Sequence, residues 1–76
     1  VAGAVEQAVD GIPNLHDPHD LHVRQVEGKL FITVEVMVDG ELSLSDAHDL
    51  STQLQDAIRA TVPNVGEALV HLEPAH

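Results

Sequence analysis

His71 and Glu73 stand two residues apart in an alternating apolar segment, so on a strand both side chains leave the same face. A neutral imidazole nitrogen and a carboxylate oxygen at that spacing can share one divalent ion. Two solvated polar residues on an uncovered sheet face would have the same spacing. His16, His19 and His22 recur every third residue with Asp17 and Asp20 between them. A loop running into a strand can bring two of these rings to one ion once the entropy of ordering it is met. A polar loop that is merely rich in histidine has the same composition. His48 falls in the first turn of a long helical pattern, where the helix dipole disfavours the imidazolium and leaves the ring in the neutral form that a metal requires. A structural or idle histidine fits that position too. Glu35, flanked by Val34 and Val36, is either a ligand or an edge charge opposing aggregation. Arg24 is its candidate partner, in an exposed pair of little worth to stability.

The elements that must position these groups follow from periodicity. Val1, Val5, Ala8, Val9 and Ile12 recur at helical spacing, and Gly11 and Pro13 end that helix. From Pro13 to Asp20 the composition is loop-like. Leu21 and Val23 then alternate with His22 and Arg24, as in a strand with one buried face. Glu27-Gly28-Lys29 supplies a turn, and Leu30 to Asp39 forms a second strand, completing a hairpin. Its Leu30, Ile32, Val34, Val36 and Val38 lie on one face, with Phe31, Thr33, Glu35, Met37 and Asp39 on the other. Ser43 with Asp46 reads as a capping box. Ala47, Leu50, Leu54, Ala57, Ile58 and Thr61 then keep a 3.6-residue period, predicting a helix over 44–62 that Pro63 and Asn64 stop. Val65 to Pro74 closes the chain as a strand with Ala68, Val70 and Leu72 on one face and Leu69, His71 and Glu73 on the other. No internal repeat appears.

The order αββαβ predicts an α+β fold, a ferredoxin-like open-faced sandwich with a three-stranded sheet and two helices on one face, formed by residues 1–76 as a single domain. The uncovered face would then display His22, Arg24, Phe31, Thr33, Glu35, Met37, Leu69, His71 and Glu73. The apolar members of that set suggest an association surface, and with it a homodimer.

Composition narrows the function. Thirteen acidic against three basic residues give a net charge of −10 with the six histidines neutral, which argues against a nucleic acid partner and suits a cationic one. No cysteine is present, so any metal site must use imidazole and carboxylate. The single aromatic residue, Phe31, leaves an aliphatic core. No apolar run approaches the ~18 residues of a membrane span, so the chain reads as soluble. Its start within a helix, without an initiator Met, suggests a fragment. No glycine-rich phosphate loop is present, and no nucleophile motif surrounds Ser43, Ser45 or Ser51. An enzyme is not expected.

Three runs, HDLHVRQ (His19 to Gln25), LSLSDAHDL (Leu42 to Leu50) and VHLEP (Val70 to Pro74), together with the hairpin LFITVEVMVD and the Pro63-Asn64-Val65 break, resemble the cytoplasmic C-terminal domain of cation diffusion facilitator transporters. The resemblance covers about Val5 to Pro74. It implies a regulatory domain on the cytoplasmic side of the cell membrane, attached to a transmembrane portion that exchanges divalent cations, usually Zn²⁺, for protons. It further implies a V-shaped homodimer whose arms are drawn together by metal at the dimer interface. The family's ligand positions fall on His19, His48, His71 and Glu73. A further position, frequently histidine in the family, is Glu35 here, and the added carboxylate makes the site harder, favouring ions such as Mn²⁺ or Fe²⁺ somewhat more; Cd²⁺ is another candidate. His16, His22 and His76 lie outside the matched positions. The alternative is a metal-insensitive module that dimerises the transporter or binds a partner through its sheet face.

Overall fold

The computed structural model describes residues 2–40 and 42–74. Val1, counted above in the first helical stripe, and His76 lie outside them. The chain runs α1 (Ala2–Asp10), β1 (Leu15–Val26), β2 (Lys29–Val38), α2 (Leu44–Thr61) and β3 (Val65–Pro74), the expected order. The sheet order is β1-β2-β3, with β1 antiparallel and β3 parallel to the central β2.

Central position explains the composition of β2. Ile32, Val34, Val36 and Val38 are all buried, whereas Phe31, Thr33, Glu35 and Met37 between them are half-buried on the opposite face. Both helices pack on the first of these faces, α1 over β1 and α2 over β3, and they touch each other. Val5 and Val9 from α1 and Leu50, Leu54 and Ile58 from α2 complete an aliphatic core. The second face is left open.

Local chemistry sets the boundaries. The Ser43 hydroxyl accepts from the Asp46 amide at 3.0 Å, capping α2 as its sequence suggests. α2 ends at Thr61, which is exposed rather than part of the buried stripe; its hydroxyl donates to the Ala57 carbonyl one turn back. Both helix-to-strand junctions use the same short device. Ile12-Pro13-Asn14-Leu15 and Val62-Pro63-Asn64-Val65 each bury the residue before proline, and each places asparagine in the left-handed region, at φ 74° and 63°. Proline blocks further helix, and asparagine tolerates the reversal. The hairpin turns at Glu27 and Gly28, both with positive φ (51° and 81°), which matches the right-handed twist of the strands it joins.

One expectation is corrected. The loop-like stretch before His22 belongs to β1, which starts at Leu15. Its pairing with β2 slips twice, between His16 and His19 and between His19 and His22, and Asp17 and Asp20 take φ values of 50° and 49°. These are β-bulges, each setting two residues of β1 against one of β2. Asp, Pro and His therefore sit in a strand because the strand is kinked where they occur. A second difference is that Val23, opposite the buried Ile32, stays 42% exposed. The nine residues of α1 span ~13 Å and cannot roof a strand of twelve, ~40 Å long.

Leu54 of α2 is fully buried in the core between the helices and the sheet. Leu54→Ala is expected to cost about 3 kcal/mol, a large part of the ~5–10 kcal/mol available to so small a fold. The midpoint of urea denaturation followed by circular dichroism measures it.

Candidate metal centre

The open face carries a row of ligand-type residues across all three strands. Glu35 on β2 is the register partner of His19 on β1 and of His71 on β3, so the three side chains stand side by side. Glu73, two residues beyond His71, lies on the same face, opposite Met37. The His71 Nδ1 atom is 3.1 Å from Glu35 Oε1. His19 Nε2 is 3.5 Å from Glu73 Oε2 and 3.8 Å from Glu35 Oε2. Four of the five positions singled out from the sequence, His19, Glu35, His71 and Glu73, thus converge at one place within a single chain.

Asp20 joins them, a residue that the sequence placed only among the polar spacers of a loop. One ligand atom each from His19, Asp20 and Glu35 lies within 4.8 Å of the others, and the same holds for Glu35, His71 and Glu73. Glu35 belongs to both groups. On a regular strand His19 and Asp20 would face opposite ways. The second bulge, with Asp20 in the left-handed region, turns both toward Glu35. The available signal was the three-residue recurrence of histidine. His16, His19 and His22 sit opposite Met37, Glu35 and Thr33, all on the open face, a pattern that a strand can produce only by gaining a residue between each pair.

The first bulge sets the chemistry of His19. Its Nδ1–H donates to the Asp17 carbonyl at 2.8 Å, and a carbonyl can only accept. The ring therefore holds a proton on Nδ1, and in the neutral form its lone pair is on Nε2, the atom facing the carboxylates. A backbone carbonyl that accepts from the far ring nitrogen and so fixes the tautomer is a usual partner of a metal-binding imidazole. The Asp17 carbonyl is also the main reason that His19 holds its proton above the ordinary range; desolvation opposes it, and the charges of Glu73, Asp20 and Glu35 add to the rise. Glu35 is pushed upward as well, first by sharing hydrogen-bonding space with Asp20 and then with Glu73, while the hydrogen bond from His71 pulls the other way. Among the described residues, every ion pair joins a carboxylate to a histidine, and none joins one to Lys or Arg. The donor set fits a divalent cation: two imidazoles and three carboxylates converge, and no fixed positive charge balances them.

The remaining histidines lie elsewhere. His48 is exposed on α2, whose buried residues pack on the other face of the sheet, so it is not joined to the cluster within one chain. His16 Nδ1 is 3.5 Å from Asp39 Oδ1. His22 lines a groove of about 530 Å³ with Val23, Arg24, Phe31 and Thr33.

The sequence model for the cation efflux protein cytoplasmic domain matches residues 2–75. Solved structures share the fold. The metal-bound C-terminal domain of the CzcD transporter from Thermotoga maritima is 29% identical with a TM-score of 0.89, over 96% of this chain and 85% of that one. The cytosolic domain of a cation diffusion facilitator family protein is also 29% identical, with a TM-score of 0.87 over 96% of this chain and 87% of the other. A variant of the MamM C-terminal domain, 19% identical, has a TM-score of 0.87 over 99% of this chain and 94% of that one, a likeness of fold. No curated protein matches in sequence. Among the described residues, no helix is long and apolar enough to cross a membrane. With the family model spanning nearly every residue, the chain belongs to the cation diffusion facilitator family, as a cytoplasmic cation efflux domain.

Proposed function

We propose that this domain senses divalent cations, Zn²⁺ foremost, on behalf of a transporter's membrane portion, through the cluster of His19, Glu35, His71 and Glu73. The observation that carries this reading is the convergence of these four side chains from three strands with no lysine or arginine among them. A bound divalent cation would supply the positive charge that the cluster lacks and draw donors of two copies together, favouring a closed, V-shaped homodimer.

The chain's own residues prepare that response. Each subunit carries a net charge of −10, so two metal-free copies repel. The open face offers the half-buried Phe31 and Met37 and the 55%-exposed Leu69 as the apolar part of a dimer contact. His48 stands clear of its own cluster, on the outer side of α2, where it is free to serve a second copy. His19 presents Nε2 in a fixed tautomer, and Glu35, whose carboxyl is held above its ordinary range by Asp20 and Glu73, ligates as the carboxylate. Fe²⁺, Mn²⁺ and Cd²⁺ suit the same donors in differing degree.

Zinc titration calorimetry of the chelator-stripped domain is expected to give saturable binding that His71→Ala abolishes or strongly weakens. At zinc one hundred times Kd, the linkage of about 2.7 kcal/mol raises Tm by ~10 °C or more for a domain of this size, and chelator reverses it. His48→Ala should keep binding within each chain but lose the decrease in radius of gyration that zinc produces in small-angle scattering. A Tm indifferent to both zinc and chelator would leave the metal-insensitive dimerisation module as the better account.

The pH dependence has a definite sign. His19 and Glu35 both hold protons more tightly in the fold than their ordinary values of 6.5 and 4.5. Their contribution to metal-free stability is therefore full below those values and is lost as pH rises through the raised ones. Ligation requires the deprotonated forms, so the zinc-induced increment in Tm runs the opposite way, small below about pH 5 and largest above about pH 7. Thermal melts across pH with and without zinc separate the two trends, and Glu35→Gln should flatten the metal-free one.

A further inference from the structure

Asp20 is the one member of the cluster outside the family's ligand positions, and its placement is the product of a specific backbone feature. The second bulge of β1 adds a residue between His19 and His22, and Asp20 takes φ 49°. Its carboxylate is thereby brought within 4.8 Å of ligand atoms of both His19 and Glu35. A β-bulge that re-aims a side chain beside a site is a positioning device. Here it places two negative groups together on an exposed rim, an arrangement that costs electrostatic energy and that no Lys or Arg among the described residues relieves.

We propose that Asp20 is a ligand of the metal centre and that it biases the centre toward hard, oxygen-preferring divalent cations such as Mn²⁺, relative to the same centre without it. The inference rests on the metal-binding reading above. With Asp20 the donor set becomes three carboxylates, Asp20, Glu35 and Glu73, against two imidazoles, His19 and His71. Imidazole suits zinc, copper, iron and nickel, whereas carboxylate and water suit manganese, which prefers six oxygen-rich positions. Asp20 is exposed, so its side of the centre stays open to the waters that such coordination includes. Zinc keeps its higher absolute affinity by the general order of divalent metals. Asp20 changes the ratio.

The test uses Asp20→Asn, since asparagine accepts the left-handed backbone and keeps the bulge. Mn²⁺ binding is read by loss of the free-ion electron paramagnetic resonance signal, and Zn²⁺ binding by calorimetry, for the native chain, Asp20→Asn and His71→Ala. A metal-free melt checks the fold of each. Should the asparagine variant fail to fold, Asp20→Gly meets the same positive φ and repeats the test. The expected result is a loss of Mn²⁺ affinity of about tenfold or more in Asp20→Asn, the scale at which even outer ligands act, with Zn²⁺ affinity falling by a clearly smaller factor. Unchanged Mn²⁺ affinity in Asp20→Asn, with both ions lost in His71→Ala, overturns the role of Asp20 and leaves the metal centre standing. Equal losses for the two ions overturn the selectivity. Absence of binding to the native chain overturns the metal centre itself, and this inference with it.

Discussion

Carboxylates crowded on one face of a sheet, with no arginine or lysine set against them, are the constraint to which the rest of this molecule answers. Asp20, Glu35 and Glu73 reach toward common ground from three strands. The compensation available inside the chain is protonic: His19 is raised toward its charged form and Glu35 toward its neutral one. A guanidinium among them would offset part of that charge at every accessible pH, since arginine does not give up its proton. Protons can be displaced by a cation that takes up the same lone pairs. The overall charge of −10 extends the same imbalance of acidic over basic groups to the whole subunit.

Such a cluster needs a rigid base, and the core provides it with modest means. Among the described residues, seven large side chains are almost wholly removed from solvent, all of them Val, Leu or Ile. β-branched residues on the covered side of β2 suit a central strand and lock its rotamers. Each of Ile32, Val34, Val36 and Val38 fixes, through the pleat, the direction of its neighbour on the open face. Glu35 is held between Val34 and Val36 in this sense, and its position follows from burial on the other side of the sheet. Functional groups placed on strands rather than loops gain that precision.

The fold was legible in the sequence because its two periods are clean. The 2-residue alternation of β2 and β3 and the 3.6-residue stripe of α2 each point to one face, and the Ser43 cap and the Pro63 stop agree with them. Of the cluster, His71 with Glu73 and Glu35 could be placed from alternation, and His19 from its resemblance to a family position. Asp20 could not, because it falls in a stretch that reads as loop, and only the bulge sets it beside His19 on one face. The Asp17 carbonyl that sets the tautomer of His19 was equally hidden: a backbone oxygen has no letter in the sequence. The first half of β1 was obscured by its own composition, since Asp, Pro and His read as loop until pairing with β2 supplies the hydrogen bonds that propensity does not. His48 was singled out by its place in the first turn of α2 and by the resemblance, and nothing in one chain leads from α2 to the open face.

The two bulges of β1 have a consequence for how this strand can change. Each adds one residue, and one added residue turns everything beyond it over to the other side of the sheet. Two restore the phase: Leu15, before the first, and Val23, after the second, both lie opposite core residues of β2. The segment between them is the part held out of phase, and it contains His19. Deleting a single residue there would turn one end of the strand inside out, sending apolar side chains to water and polar ones to the core. Deleting one from each bulge would leave both ends in place and return only the middle to ordinary alternation. β1 is thus free to vary in steps of two, and the bulges are retained or lost as a pair.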